Sequence, residues 1–248
     1  MALSYFDQDS GGVNELWVTD GTVLGTHVVA PLGDQAANFR AIGSRVFFVH
    51  DDGVHGIELW KSDGTAAGTA LVSDINPGAN DSVPEDLTNF NGTLYFTAND
   101  GKHGLELWKS DGTAAGTAMV KDIAPGATDS LPGNLTNVNG TLYFTADDGM
   151  HGRELWKSDG TAAGTAMVKD IAPGATASLP GNLTNVNGTL YFTASDSTHG
   201  GGHGDELWKS DGTAAGTALV SDINPGANDS SPDDLTNVNG TLYFEADD

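Results

Sequence analysis

Apolar and polar residues alternate in short runs along this chain, and the runs recur. From Asn134 to Val138 the sequence alternates, Asn139-Gly140 interrupts, and Thr141-Leu-Tyr-Phe-Thr-Ala146 alternates again. Two such runs around Asn-Gly predict a β-hairpin, because both central residues of a type I′ turn need positive φ. A second hairpin is predicted from Arg153-Glu-Leu-Trp-Lys157 and Ala166-Met-Val-Lys-Asp-Ile171, joined by the longer turn Ser158-Asp-Gly-Thr-Ala-Ala-Gly-Thr165. The unit thus has four strands: a (LTNV), b (TLYFTA), c (ELWK) and d (AMVKDI). No 3.6-residue apolar period is long enough to predict a helix. In strand b, Leu142 and Phe144 point to one face and Tyr143 and Thr145 to the other. Large residues on both faces predict a sheet covered on both sides, with the Trp of strand c in the core between sheets.

The unit repeats. Glu-Leu-Trp recurs at Glu15, Glu58, Glu106, Glu154 and Glu206, with gaps of 43, 48, 48 and 52 residues. Four antiparallel strands per 40–50 residues is the pattern of a β-propeller blade. The ten residues 172–181, with two Pro-Gly steps, suit a crossing from strand d to the next sheet. The expectation is all-β: one five-bladed β-propeller over residues 1–248, of four-stranded antiparallel blades centred on Trp17, Trp60, Trp108, Trp156 and Trp208. The chain opens on a b-like run, Leu3 to Phe6, and closes on a and b runs, Leu235 to Ala246. Ring closure is therefore expected to pair the N- and C-terminal strands in one blade, which removes open sheet edges. One b strand is then surplus, either Tyr5-Phe6 or Tyr243-Phe244, and the sequence leaves both open. The first repeat has diverged (ELWVTDGTVLGT, with SRVFF in place of GTLYF), as terminal repeats of arrays do.

Composition narrows the function classes. Ten Lys+Arg against 34 Asp+Glu give a net charge of −24. Such a surface repels phosphate backbones and anionic membranes, so neither nucleic acid nor membrane insertion is expected. The acids are 27 Asp and only 7 Glu, a skew toward turns and away from helix surfaces. There is no cysteine, hence no disulfide framework and no thiolate zinc site. No run is apolar for long enough to span a membrane, and no basic-plus-apolar signal segment opens the sequence.

ELWKSDGTAAGT, followed by V-x-D-I-x-P-G, occurs four times nearly intact, with Glu15 to Thr22 as a looser fifth copy. On these residues the chain resembles the bacterial ELWxxDGT repeat family. The resemblance covers essentially the whole sequence and implies a propeller within a secreted or cell-surface bacterial protein. Five repeats near 47 residues are also similar to the tachylectin propellers, which bind an amino sugar once per blade. That likeness is one of repeat number and length.

Candidate chemistry lies in the b-to-c loops, which pair Asp52 with His55, Asp100 with His103, Asp148 with His151, and Asp196 with His199. The last loop is longer and repeats the element, so that His203-Gly204 also precedes Glu-Leu-Trp. These five histidines are the candidate ligand-binding residues. Asp52, Asp100, Asp148 and Asp196 are the candidate metal ligands, since Asp oxygens in Gly-containing loops suit Ca²⁺. The alternative is that Asp-Gly and His-Gly here are turn formers that tolerate left-handed φ; a His-held transition metal is a third reading. The Ser-Asp-Gly-Thr turn resembles an Asp-box, in which the Asp ties down its own turn. No nucleophile elbow, phosphate loop or metalloprotease helix is present. Near-identical blades also place like residues at like positions, against the unlike carboxylates that glycoside hydrolysis needs. The function expected is a non-catalytic, multivalent binding module, with glycans as ligands at one site per blade or blade junction. The alternative is a structural or display domain that meets other surface proteins.

Overall fold

The computed structural model describes residues 4–9, 14–33, 36–196 and 202–248, and these hold strands and turns but no helix. Two compact units divide the chain, 1–119 and 120–248. In the first, β1 (Ser4–Asp9), β2 (Asn14–Thr19) and β3 (His27–Gly33) form a three-stranded sheet. A four-stranded sheet follows: β4 (Ala37–Ile42), β5 (Arg45–Asp51), β6 (Ile57–Ser62) and β7 (Ala70–Ser73). The third sheet is again four-stranded: β8 (Glu85–Phe90), β9 (Thr93–Asn99), β10 (Leu105–Ser110) and β11 (Ala118–Lys121).

The second unit continues the pattern. One sheet holds β12 (Gly133–Val138), β13 (Thr141–Asp147), β14 (Arg153–Ser158) and β15 (Ala166–Lys169). The next holds β16 (Gly181–Val186), β17 (Thr189–Ser195), β18 (Asp205–Ser210) and β19 (Ala218–Ser221). Last, β20 (Asp233–Val238) and β21 (Thr241–Glu245) pair only with each other. The pairings within the sheets are antiparallel between sequence neighbours.

Local chemistry explains the strands. Asn139 and Gly140 sit at φ of 49° and 80°, and Asn91, Asn187 and Asn239 repeat this at their own Asn-Gly turns. These are the positive-φ pairs of tight hairpins, which fix the a–b register. In strand a, Asn134 lies at φ 57° where the pairing slips between Gly133 and Thr136. Asn tolerates this left-handed position better than most residues, and the bulge sharpens the local twist. The b–c register is the same in the four four-stranded sheets: Phe48 faces Trp60, Phe96 faces Trp108, Phe144 faces Trp156 and Phe192 faces Trp208.

Cores form between consecutive sheets inside each unit. In the first unit, Val46 and Phe48 pack with Leu16, Val18 and Val29 on one side of the second sheet. On its other side, Phe47, Val49 and Leu59 pack with Phe96, Ala98 and Trp108. In the second unit, Leu155 and Val168 pack with Leu190, Phe192 and Trp208. A sheet buried on both faces explains why strand b lacks a polar side. Each fully buried Phe contributes roughly 2–3 kcal/mol relative to exposure. Lysine stems add ties between repeats: Lys157 Nζ donates to Gly212 O at 2.8 Å, and Lys169 Nζ donates to Thr217 O at 2.9 Å while lying over the Trp208 ring.

Two expectations need correction. The N- and C-terminal strands do not share a sheet. Instead β1 occupies the b position beside β2, with Phe6 opposite Trp17 as Phe144 is opposite Trp156. Strand d is also shorter than expected, ending at Lys169 rather than Ile171, because Asp170 and Ile171 turn into the following loop.

Candidate functional site

Each b-to-c loop folds around its aspartate. Asp52 Oδ1 accepts the backbone N–H of Val54 and of His55, both at 2.9 Å, and Oδ2 meets His55 Nδ1 at 2.8 Å. Asp100 with His103 and Asp148 with His151 reproduce these contacts at 2.8 Å. Gly56 follows at φ 69°, and a side chain there would collide with the backbone of Asn80 in the d-to-a loop. Glycine is therefore what lets the two loops of one repeat close on each other. In the last repeat Asp196 pairs with His203 across seven positions, with Nδ1 to Oδ2 at 3.0 Å. The sequence had paired Asp196 with His199; that histidine lies outside the described residues, and the duplicated His203 fills the role.

Electrostatics within the loop are consistent. Burial works against the charge on Asp52, but hydrogen bonds from His55 and Val54 outweigh it and hold the carboxyl down to about 2. Asp100 and Asp148 are lowered in the same way, burial opposing and the His103 and His151 hydrogen bonds prevailing. His55, His151 and His203 are raised, first by the hydrogen bond to the loop aspartate. A second carboxylate adds to this: Asp74 for His55, Asp170 for His151, and Asp222 for His203, the last 3.9 Å from Nε2. The Asp–His pair recurs in four loops, and in the last one Asp222 stands on the other side of the imidazole.

That second aspartate, the D of V-x-D-I, was missed as a site residue. Asp74 Oδ2 accepts the N–H of Gly78 at 3.2 Å, yet its Oδ1 is buried without a hydrogen-bond partner. Asp122, Asp170 and Asp222 share the orphan oxygen. A further miss is the Glu of Glu-Leu-Trp. Glu154 is wholly buried and accepts three hydrogen bonds: Ile171 N at 3.0 Å, Ser178 N at 3.0 Å and Ser178 Oγ at 2.6 Å. Glu58 binds Ile75, Asn76 and Ser82, and Glu206 binds Ile223, Asn224 and Ser230. This carboxylate anchors the d-to-a loop beneath the Asp–His loop. The invariant spacing of Glu and Ser, 24 residues in all three of these repeats, was the signal available in the sequence.

The Ser-Asp-Gly-Thr turn is self-contained. Asp159 Oδ1 accepts Thr161 N at 2.9 Å and Thr161 Oγ1 at 2.7 Å, and Ser158 Oγ accepts Gly160 N at 2.9 Å. In the d-to-a loop, Asp81 Oδ1 accepts Ile57 N at 2.8 Å and Asp229 Oδ1 accepts Asp205 N at 2.7 Å, capping the start of strand c.

Chemically, each loop offers a part-exposed imidazole paired with a carboxylate, a set of donors and acceptors suited to hydroxyl groups. Among the described residues no group of three or more His, Asp or Glu is arranged to hold a metal ion. The Asp52 oxygens accept hydrogen bonds from their own loop.

No family model matches this chain, and no curated protein does. Similar solved structures include one from a study of two prolyl endopeptidases (15% identity, TM-score 0.47, covering 88% of this chain and 32% of that one). A puromycin hydrolase mutant is similar at 14% identity and TM-score 0.49, over 96% of this chain and 39% of its own. The β-propeller domain of the trilobed protease from Pyrococcus furiosus is similar at 14% identity and TM-score 0.39, over 90% and 80%. The chain spans about a third of the length of the prolyl endopeptidase chain.

Proposed function

We propose that this chain is a non-catalytic, multivalent binding module, a propeller of five ELW blades that carries one shallow polar site per repeat. The ligand class is carbohydrate. The observation that supports it is recurrence: an Asp–His pair at 2.8 Å in three loops and 3.0 Å in a fourth, each with a half-exposed imidazole. Repetition of weak sites suits avidity, because linked sites raise the effective concentration of the second contact. The sequence resemblance adds a setting, the exterior of a bacterium.

The test is a glycan array followed by calorimetry on any sugar retained. Several sugars per chain is the expected stoichiometry, and His151→Ala should lower it by one while leaving the fold intact. Silence across the array would defeat the reading. One observation favours the rival, a scaffold without a small ligand: the loop aspartates spend their oxygens on their own turns. On that reading His151→Ala lowers stability and changes no binding.

A further inference from the structure

Among the described residues, thirteen non-glycine positions have positive φ, and nine of them are Asn or Asp, the side chains that tolerate it. The other four are Val83, Leu131, Leu179 and Ser231, at φ between 45° and 50°. Each stands between a Ser and a Pro in a d-to-a loop. Aliphatic side chains rarely take this conformation, a β-branched one least of all, and a following proline favours extended φ in the residue before it. The strain does not serve the core, because Val83 is 41% exposed, Leu131 45% and Leu179 65%.

The loop closes equally well without an aliphatic residue. Leu179 N donates to Arg153 O at 3.2 Å and Val83 N to Ile57 O at 3.2 Å; Ser231 N donates to Asp205 O at 3.1 Å in the same way. A serine thus satisfies the fold, and the aliphatic side chains at the other positions are held out in water by a costly backbone. Such strain gathers at functional sites, and exposed apolar groups gathered at one place mark an interaction surface.

Their surroundings indicate the partner. A side chain at Gly152 would collide with the backbone of Ala177, so the b-to-c and d-to-a loops of that repeat touch. On the b-to-c loop the residue before the histidine is also apolar and exposed in two repeats, Val54 at 63% and Met150 at 65%. The loops that carry Val54 and Val83 hold Asp51, Asp52, Asp74 and Asp81, with no Lys or Arg. Those of Met150 and Leu179 hold Asp147, Asp148 and Asp170, again with no Lys or Arg. Arg153, next along the chain, is taken up by Leu131 O at 2.8 Å and Thr145 Oγ1 at 2.9 Å. Apolar groups within a charged rim are the anatomy of a protein interface.

We propose that these loop pairs dock a cationic amphipathic segment of another protein, in which Lys or Arg alternates with aliphatic side chains. Its apolar side chains cover Leu179 and Met150 in one repeat and Val83 and Val54 in another, while its cations meet the loop aspartates. Charge complementarity selects this occupant: the rim is acidic and the chain carries a net charge of −24. The proposal stands without the carbohydrate reading, since it uses the aliphatic residues and not the imidazoles.

The test is fluorescence polarisation with a labelled peptide of alternating Lys and Leu, in 0.15 M salt (a screening length of roughly 8 Å). A peptide of alternating Lys and Ser reports charge alone. The Lys-Leu peptide should bind, and the Lys-Ser peptide at least about tenfold more weakly. The triple variant Val83→Asn, Leu131→Asn, Leu179→Asn should lose affinity at least about tenfold, while its melting temperature rises by roughly 2 °C or more as the strain is relieved. Changing the same three residues to Ser copies the loop at Ser231 and should lose the same affinity, which keeps the test open if the Asn variant misfolds. No binding of the Lys-Leu peptide, equal binding of the Lys-Ser peptide, or full affinity in a folded variant overturns the proposal. Equally strong retention on phosphatidylcholine vesicles would assign the aliphatic residues to a lipid surface and overturn it as well.

Discussion

Removing the Glu154 carboxylate tests the view that Glu-Leu-Trp is a loop anchor as much as a core motif. In Glu154→Ala, the backbone N–H groups of Ile171 and Ser178 lose their acceptor, and the Ser178 hydroxyl loses its own. An unpartnered buried donor costs about 1–3 kcal/mol. The serine hydroxyl can rotate and water can reach part of the loop, so the expected loss is about 3 kcal/mol. Ser178→Ala removes one charge-assisted bond and should cost about 1.5 kcal/mol. The double variant should cost less than the sum, by about 1 kcal/mol, since both remove one shared bond. Urea unfolding with unchanged m reads these values, and proteolysis within 172–180 should accelerate.

The pH dependence gives a second check. Burial raises the Glu154 carboxyl above its usual value, with hydrogen bonds from Ser178 and Ile171 pulling back. The folded chain therefore holds this proton to higher pH than the unfolded chain. Its contribution is most favourable below about 4.3 and declines as pH rises through the folded value. The penalty of Glu154→Ala should thus shrink on going from pH 4 to pH 7. A cost below 0.5 kcal/mol, on the order of an ordinary surface substitution, would refute the anchor, and a penalty that grows with pH would refute the upward shift of the carboxyl.

Other outcomes follow from the same geometry. Asp205 is pushed up to about 6 by burial and then by Asp229 and Glu206. Asp205→Asn should stabilise the fold by roughly 1–2 kcal/mol at pH 7, discounted for its partial exposure, and by nothing near pH 4; equal gains at both would discard the assignment. His55 is raised and Asp52 lowered by their mutual hydrogen bond. The pair's contribution is then complete between about pH 4 and 6.5. It is lost as pH falls toward the folded Asp52 value or climbs through the folded His55 value, so His55→Ala should flatten both limbs of a melting-temperature profile. Gly164→Ala would push a methyl group into the Asp159 carboxylate; a loss of about 1–3 kcal/mol is expected, and an unchanged denaturant midpoint would argue against the turn geometry. A chelator should leave the melting curve in place, because the Asp52 oxygens already serve Val54 and His55; a fall of several degrees would restore calcium.

Strand existence, turn type and the two-faced core were legible in the sequence, because each depends on contacts between near neighbours. Asn139-Gly140 needs only its own φ values, Ser158-Asp159-Gly160 satisfies itself within four residues, and the alternation in TLYFTA marks both faces as apolar. The Asp–His pairing was equally local, and it failed only where the insertion offered two histidines at different ranges. Tertiary structure decided the rest. Glu154 reads as part of a strand motif until a loop 24 residues away brings Ser178 onto it, and Asp74 gains meaning only beside His55. Composition likewise did not say which strand stands beside β2, since Tyr5-Phe6 and Tyr243-Phe244 carry the same aromatic pair; pairing decided it, for β1 lies only four residues upstream of β2, where bringing the two together costs little chain entropy.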